Sequence, residues 1–207
     1  MIEVVTWANA YRFGDALASQ ARLRYRMFIE CRHIDHANFD GLEYDRFDNP
    51  AAVYLLYRDA EGEVRGMTRL LRTTRPYMLK TYWPFLVAGG ALPESDEVWE
   101  GTRLCVDIRL DRAMRQRVLA EILCGTTEYL ETQGARHLIA VSSRMVAMRL
   151  FRRDLEWMGD DAMVEGRMES AFRVPAHAVE QAGDREKYGF GRAILNIGDR
   201  HATRRAA

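Results

Sequence analysis

Cysteine and proline are scarce in this 207-residue chain, which holds three of the first and five of the second. Cys31, Cys105 and Cys124 are odd in number and follow no motif spacing. A disulfide framework is therefore excluded, and a reducing, cytoplasmic setting is expected. Charge of one sign is missing too: 30 Lys and Arg balance 30 Asp and Glu. No global field draws the chain to nucleic acid or to a membrane, so any charged partner must be read by a local patch. No apolar run reaches bilayer-crossing length. The opening MIEVVTWANAYRF lacks the basic flank and apolar core of a signal peptide. Repeats and low-complexity tracts are absent. What is present is ordinary for a globular protein: 48% hydrophobic and 29% charged residues, on a chain long enough for one full core.

Residues 1–7 read as a short strand, and the three- and four-residue spacing over 15–30 predicts a helix that places Arg24 and Phe28 on one face. Residues 31–50 form a long polar loop. In it Asp35, Asp40, Glu43, Asp45 and Asp48 are interleaved with Phe39, Tyr44 and Phe47, a pattern suited to an ordered lid meeting a cation. Cys31, His33 and His36 match no common zinc spacing, and no metal is expected. Two strands over 52–57 and 64–71 flank a hairpin signal at 59–62. Arg69 points to one face amid apolar neighbours, where a charge needs a partner. A second loop follows over 72–84.

The stretch VWEGTRLCVD, residues 98–107, reads as a strand carrying two charges that a buried strand normally excludes, Glu100 and Arg103. Strict alternation sets Glu100 with Thr102 on one face and Arg103 with Trp99 on the other. Gly101 suggests a bulge that would let both charges serve one cleft. A helix over 112–133 comes next, with Val118, Ile122, Leu123, Thr126 and Leu130 on its buried side. It is followed by a strand over 137–142 and a short helix over 143–154 bearing Arg144, Arg149, Arg152 and Arg153, the one basic patch. Strands are expected over 157–164 and 168–174, and a helix over 176–182. Strands grouped around a few helices, with hairpins and one crossover, predict an α/β domain over 1–182 with a mixed twisted sheet flanked by helices. A polar, mobile tail is expected over 183–207.

Arg24 and Phe28; Glu43, Asp45, Phe47 and Asp48; Arg69; and Glu100, Thr102 and Arg103 together resemble the motif series of the LuxI-type acyl-homoserine-lactone synthases. The series runs R-x-x-x-F, E-x-D-x-F-D, a strand arginine, then E-x-[ST]-R, and the likeness covers roughly residues 1–175. It departs at Ile34, where the family usually has a tryptophan lining the S-adenosylmethionine pocket. Either Phe39 or Tyr44 then replaces that aromatic wall, or the packing on the methionine side is weaker.

The resemblance implies a GNAT-related fold with no resident cofactor or metal. It also implies transfer of an acyl group from acyl carrier protein or acyl-coenzyme A to the amine of S-adenosylmethionine, with lactonisation and release of methylthioadenosine. It casts Glu100 as general base, and Asp45, Asp48 and Arg103 as partners in the chemistry. Arg24, Phe28, Ile34, Arg69 and Thr102 become substrate contacts. Ala140 stands where some members carry a threonine and prefer a 3-oxo chain, which points to an unsubstituted chain here. The four arginines of the 143–154 helix fit an acidic carrier protein or the phosphates of coenzyme A. Oxyanion donors are expected from strand N–H groups freed near residues 101–104. Two rivals remain. An acetyl-coenzyme A N-acetyltransferase lacks support, because no [RQ]-x-x-G-x-[GA] turn precedes the 112–133 helix. A non-catalytic sensor would need no buried base.

Overall fold

The computed structural model describes residues 1–151, 154–191 and 194–196. The elements in chain order begin with β1 (Ile2–Val5), α1 (Gly14–Arg24), a two-strand hairpin β2 (Asn38–Phe39) and β3 (Leu42–Glu43), β4 (Val53–Arg58) and β5 (Val64–Arg72). They continue with α2 (Met78–Tyr82), β6 (Val98–Val106), α3 (Arg112–Thr132), β7 (His137–Ser142) and α4 (Arg144–Phe151). The last are β8 (Glu156–Trp157), β9 (Ala162–Val164), β10 (Arg167–Pro175), α5 (Ala176–Gly183), α6 (Arg185–Tyr188) and β11 (Leu195–Asn196). One mixed sheet runs β11-β1-β4-β5-β6-β7-β10-β8, with β9 also on β10. Among the described residues no helix is long and apolar enough to cross a membrane.

Both faces of this sheet are covered, which is why central segments such as VYLL in β4 are apolar without alternation. On one face α3 packs against Leu55, Leu70, Trp99 and Leu138. On the other, α1, α2 and the acidic loop pack against Leu56, Met67, Leu71, Cys105 and Ile139. Helix α3 comes close to β5 at Gly66, where a Cβ would stand 2.5 Å from Val118 Cγ1. The α3 helix starts at Asp111, whose side chain accepts from the Met114 N–H at 2.8 Å.

The feature that positions the site is a parting of two strands. Strands β6 and β7 run parallel and pair only at Val98↔His137, Trp99↔Leu138 and Glu100↔Ile139. Both continue past that point, to Val106 and Ser142. A gap opens through the sheet just beyond Glu100.

Several segments differ from their expected form. The polar loop holds the β2–β3 hairpin, and the second loop holds α2. The stretch over 157–164 is two short strands, β8 and β9, with a loop between them. The stretch from Gly183 is not a free tail as far as Asn196. Helix α6 follows α5, and β11 pairs in parallel with Ile2 and Glu3. Ile194 and Leu195 are buried, covering the edge of β1 that would otherwise be open. Residues 197–207 lie outside the described residues.

Candidate active site

The β5–β6 pairing shows how Glu100 and Arg103 reach the same face. Arg69 pairs with Thr102, and Met67 pairs with Cys105, so β6 carries one extra residue between them. The bulge lies at Arg103 and Leu104, not at Gly101, which pairs regularly with Leu70. Arg103 adopts φ +56°, left-handed backbone that a non-glycine residue holds only where its surroundings demand it. Alternation then resets. Glu100, Thr102, Arg103 and Cys105 face the acidic loop, while Leu104 and Val106 turn toward the α3 core. Gly101 has a packing role instead: a Cβ there would meet Leu138 Cδ2 at 3.3 Å, across the point where the strands part.

Facing the bulge is a buried lattice of charges. Arg24, at the last α-helical position before Tyr25–Glu30 widen into a π-helical turn, has no exposed surface. Its guanidinium grips both Asp48 oxygens at 2.7 and 2.9 Å and donates through Nε to Glu43. Arg69 is likewise fully buried. It holds both Asp45 oxygens at 2.7 Å, Asp48 at 2.8 Å and the Thr102 hydroxyl at 3.1 Å. Arg103 closes the set on Asp45 at 2.7 Å and Glu43 at 3.1 Å. Three guanidiniums therefore meet three carboxylates, and burial is tolerable because every charge is paired, Arg24 with Asp48 and Arg69 with Asp45 in fork geometry. Burial works against ionisation of Glu43, but His36, Arg103 and Arg24 outweigh it and hold this carboxyl down to about 2. Asp48 is also buried, and the hydrogen bond and charge of Arg24, with Arg69, press it far below the usual carboxylate range. Asp45 and Asp48 thus grip the arginines; their charge is not presented free to a ligand.

Glu100 differs from these acids. It is 1% exposed, and its oxygens accept the N–H groups of Met78 and Leu79, each at 2.7 Å, capping the first turn of α2. Burial pushes its carboxyl up to about 7, against those two hydrogen bonds and the charges of Arg69 and Arg103. Of the opposing influences legible around this strand, desolvation wins. A carboxyl poised there exchanges protons at neutral pH.

Glu100 lines a cavity of about 210 Å³ that threads the gap between β6 and β7. One end is bounded by Phe28, Ile34, His36, Met78 and Trp83. The other, on the α3 side, is apolar, with Leu104, Leu123, Leu138, Ala140, Phe151 and Phe172. A polar and aromatic chamber therefore joins a hydrocarbon-lined one, with the poised carboxyl at the passage.

The sequence model of the autoinducer synthase family matches residues 11–174. The chain belongs to the autoinducer synthase family. It is 39% identical over 137 residues to the acyl-homoserine-lactone synthase of Aeromonas hydrophila. That match covers 64% of this chain and 64% of the relative, so it spans a little under two thirds of the relative's length. Among solved structures it is similar to BjaI, a CoA-dependent acyl-homoserine lactone synthase solved with SAM and isopentyl-CoA. The TM-score is 0.82 and the identity 27%, over 95% of this chain and 92% of that one. A putative N-acetyltransferase from Lactobacillus plantarum shares the fold, with a TM-score of 0.56 at 13% identity over 84% and 98%. The fold is that of the GNAT-related acyltransferases.

With the autoinducer synthase motifs on the structure, Arg24, Glu43, Asp45, Asp48, Arg69, Thr102 and Arg103 form one connected lattice. Phe28, Ile34, Thr102, Arg103, Glu100 and Ala140 line the shared cavity. Neither Phe39 nor Tyr44 is among the aromatic residues that line the cavity. Phe39 is 79% and Tyr44 41% exposed, and neither reaches the cavity; Phe28 and Trp83 supply the rings. Phe39 sits on the two-residue strand β2, whose residues are both exposed.

The basic helix is less uniform than its sequence suggests. Arg144 is held by Asp161 and lies over the Trp157 ring at 4.2 Å, so its charge is already matched by a residue seventeen positions away. Arg149 is exposed. Arg152 and Arg153 lie outside the described residues. Sequence reasoning passed over Tyr54, which donates to Asp48 at 2.7 Å, and Met78 and Leu79, which hold Glu100. It also passed over Trp83, and over His36 and Glu165 as a pair at 3.2 Å. Only the tyrosine on an apolar strand gave a signal, since a buried hydroxyl needs a partner.

Proposed function

We propose that this protein transfers an acyl group from a thioester to the α-amine of S-adenosylmethionine and then closes the product to an N-acyl-homoserine lactone, releasing methylthioadenosine. The observation that carries the reading is the buried Glu100 carboxyl, raised to about 7, at the passage between a polar chamber and an apolar one. The family membership and the SAM and isopentyl-CoA bound by the similar BjaI support the same substrates.

The α-ammonium of the substrate has an ordinary pKa of ~8 and is not nucleophilic until it loses a proton. Ionised Glu100 accepts that proton, a role worth on the order of 10²–10⁴ in rate. The freed amine attacks the thioester carbonyl, and the tetrahedral oxyanion collapses with loss of the thiol, which carries a proton away. The N–H groups of Arg103 and Leu104 are the oxyanion donors in this reading. Neither residue has a register partner on β5, and both lie beyond the last β7 pair. The substrate carboxylate then displaces the sulfonium at Cγ. One C–O bond forms and one C–S bond breaks, and the two charges cancel. Arg24 and Arg69, gripped by Asp45 and Asp48, keep the acidic loop rigid against this chamber. Ala140 and its apolar neighbours receive the acyl chain, and Arg149 faces the incoming carrier, an acyl carrier protein or coenzyme A.

The test is methylthioadenosine release, with mass spectrometry of the lactone, from S-adenosylmethionine supplied with acyl carrier protein or coenzyme A thioesters. Release with neither donor type overturns the acyl-transfer reading. Transfer of acetyl to an unrelated amine without methylthioadenosine favours the plain N-acetyltransferase.

A further inference from the structure

Among the residues lining the cavity, His36 takes no part in the chemistry above. Its neighbours Cys31 and His33 are exposed, whereas its own ring is half-buried and has carboxylates on both sides. Nε2 lies 3.2 Å from Glu165 Oε2, on the turn between β9 and β10 and 129 residues away in sequence. Nδ1 lies 3.3 Å from Glu43 Oε1, an electrostatic contact outside directed hydrogen-bond geometry. The Phe28 ring stands at 6.4 Å. Close by, the Arg167 guanidinium donates to the Arg32 carbonyl at 3.0 Å, a second tie between β10 and the same segment.

We propose that His36 is a positioning residue: its imidazolium fastens the 31–37 segment to the β9–β10 turn and pins Glu43, and through Glu43 it fixes the guanidinium of Arg103 at the adenosyl end of the cavity. The placement rests on the functional reading for the identity of the ligand at that end. Glu43 is where the argument gains force. That carboxylate serves Arg24 through one oxygen and Arg103 through the other, and the second oxygen is the one His36 faces. Without a cation at position 36, the Oε1 side of Glu43 keeps only Arg103 to balance it. The β9–β10 turn would also lose a contact that crosses the chamber mouth.

The charged groups facing the ring are Glu165 from the β9–β10 turn, Glu43 from β3 and Arg103 from β6. The two carboxylates raise the imidazole to about 9, against burial and Arg103. The ring is therefore a cation at neutral pH. Glu165 itself is held below its ordinary range, chiefly by the His36 hydrogen bond.

The experiment measures S-adenosylmethionine binding by calorimetry, and KM against kcat in the methylthioadenosine assay, for wild type, H36Q, H36K, E165Q and the double variant H36Q/E165Q. A hydrogen bond to a charged group sets the scale, so H36Q is expected to weaken S-adenosylmethionine roughly tenfold while kcat changes little. H36K restores most of the affinity because it restores the cation. The double variant binds no worse than H36Q, because the Glu165 contact is already lost once position 36 carries no cation. The gap between wild type and H36Q closes as pH rises through about 9 and the wild-type ring loses its proton. E165Q asks the same question from a half-exposed turn should H36Q fold poorly. H36Q binding like wild type, or single effects that simply add in the double variant, overturns the positioning role. A wild type that binds no S-adenosylmethionine overturns the functional reading instead.

Discussion

Replacing Glu100 by glutamine keeps the shape of the side chain and removes its charge, and it should change how stability depends on pH while lowering activity. In the folded protein burial raises this carboxyl to about 7 from an ordinary 4.5. Between those values the folded chain holds a proton that the unfolded chain has released. Stability therefore falls as pH rises from 4.5 to 7 and levels off above, and the whole gap corresponds to about 3 kcal/mol. Glutamine has no such proton. Relative to wild type, Glu100→Gln should thus gain about 3 kcal/mol between pH 4 and pH 8 in urea unfolding. A constant offset of about 1–3 kcal/mol runs against it, because an amide NH₂ replaces one of the two oxygens capping Met78 and Leu79. Comparing the two proteins cancels the titration of Glu43, Asp48 and His36. In the methylthioadenosine assay the same variant should lose about 10²–10⁴ in kcat, while wild-type activity rises with pH through about 7. Parallel stability curves for the two proteins, or a variant turning over within a factor of about three of wild type, would refute the reasoning.

Arg69→Met removes the bidentate partner of Asp45 and leaves Asp48 to Arg24 and Tyr54, so a loss of about 3–5 kcal/mol is expected in urea at pH 7. Because Glu43 is held down to about 2, its contribution to stability is complete above its ordinary 4.5 and fades as pH falls toward 2. Acid unfolding followed by near-ultraviolet circular dichroism should accordingly begin below pH 4. Arg149→Glu should raise KM for acyl carrier protein several-fold in a salt-sensitive way with kcat unchanged, and an unaltered KM removes the docking role. Ala140→Leu fills the apolar chamber, so competition among thioesters of different length should shift the lactones toward shorter chains.

The chain by itself determined the α/β class, the places of the main strands and α3, and the list of residues that carry charge where apolar neighbours surround them. Each of those is a local property. Periodicity marks a helix or strand, and a charged side chain amid apolar ones needs a partner wherever the chain goes. Arg24, Arg69, Glu100 and Arg103 were legible for that reason, and their order and spacing carried the family likeness.

What the sequence left open depends on distance in space. Gly101 pointed to a bulge, yet the extra residue falls at Arg103, because the register of β6 is set by its pairing with β5. Asp161 neutralises Arg144 from the loop between β8 and β9, and Trp83, not Phe39 or Tyr44, lines the cavity from the segment after α2. The balance at Glu100 was undecidable from one dimension, since desolvation and two arginines act on it in opposite senses. Only the packing of α2 over β6 removes water from that carboxyl, and only the parting of β6 and β7 gives it a cavity to serve.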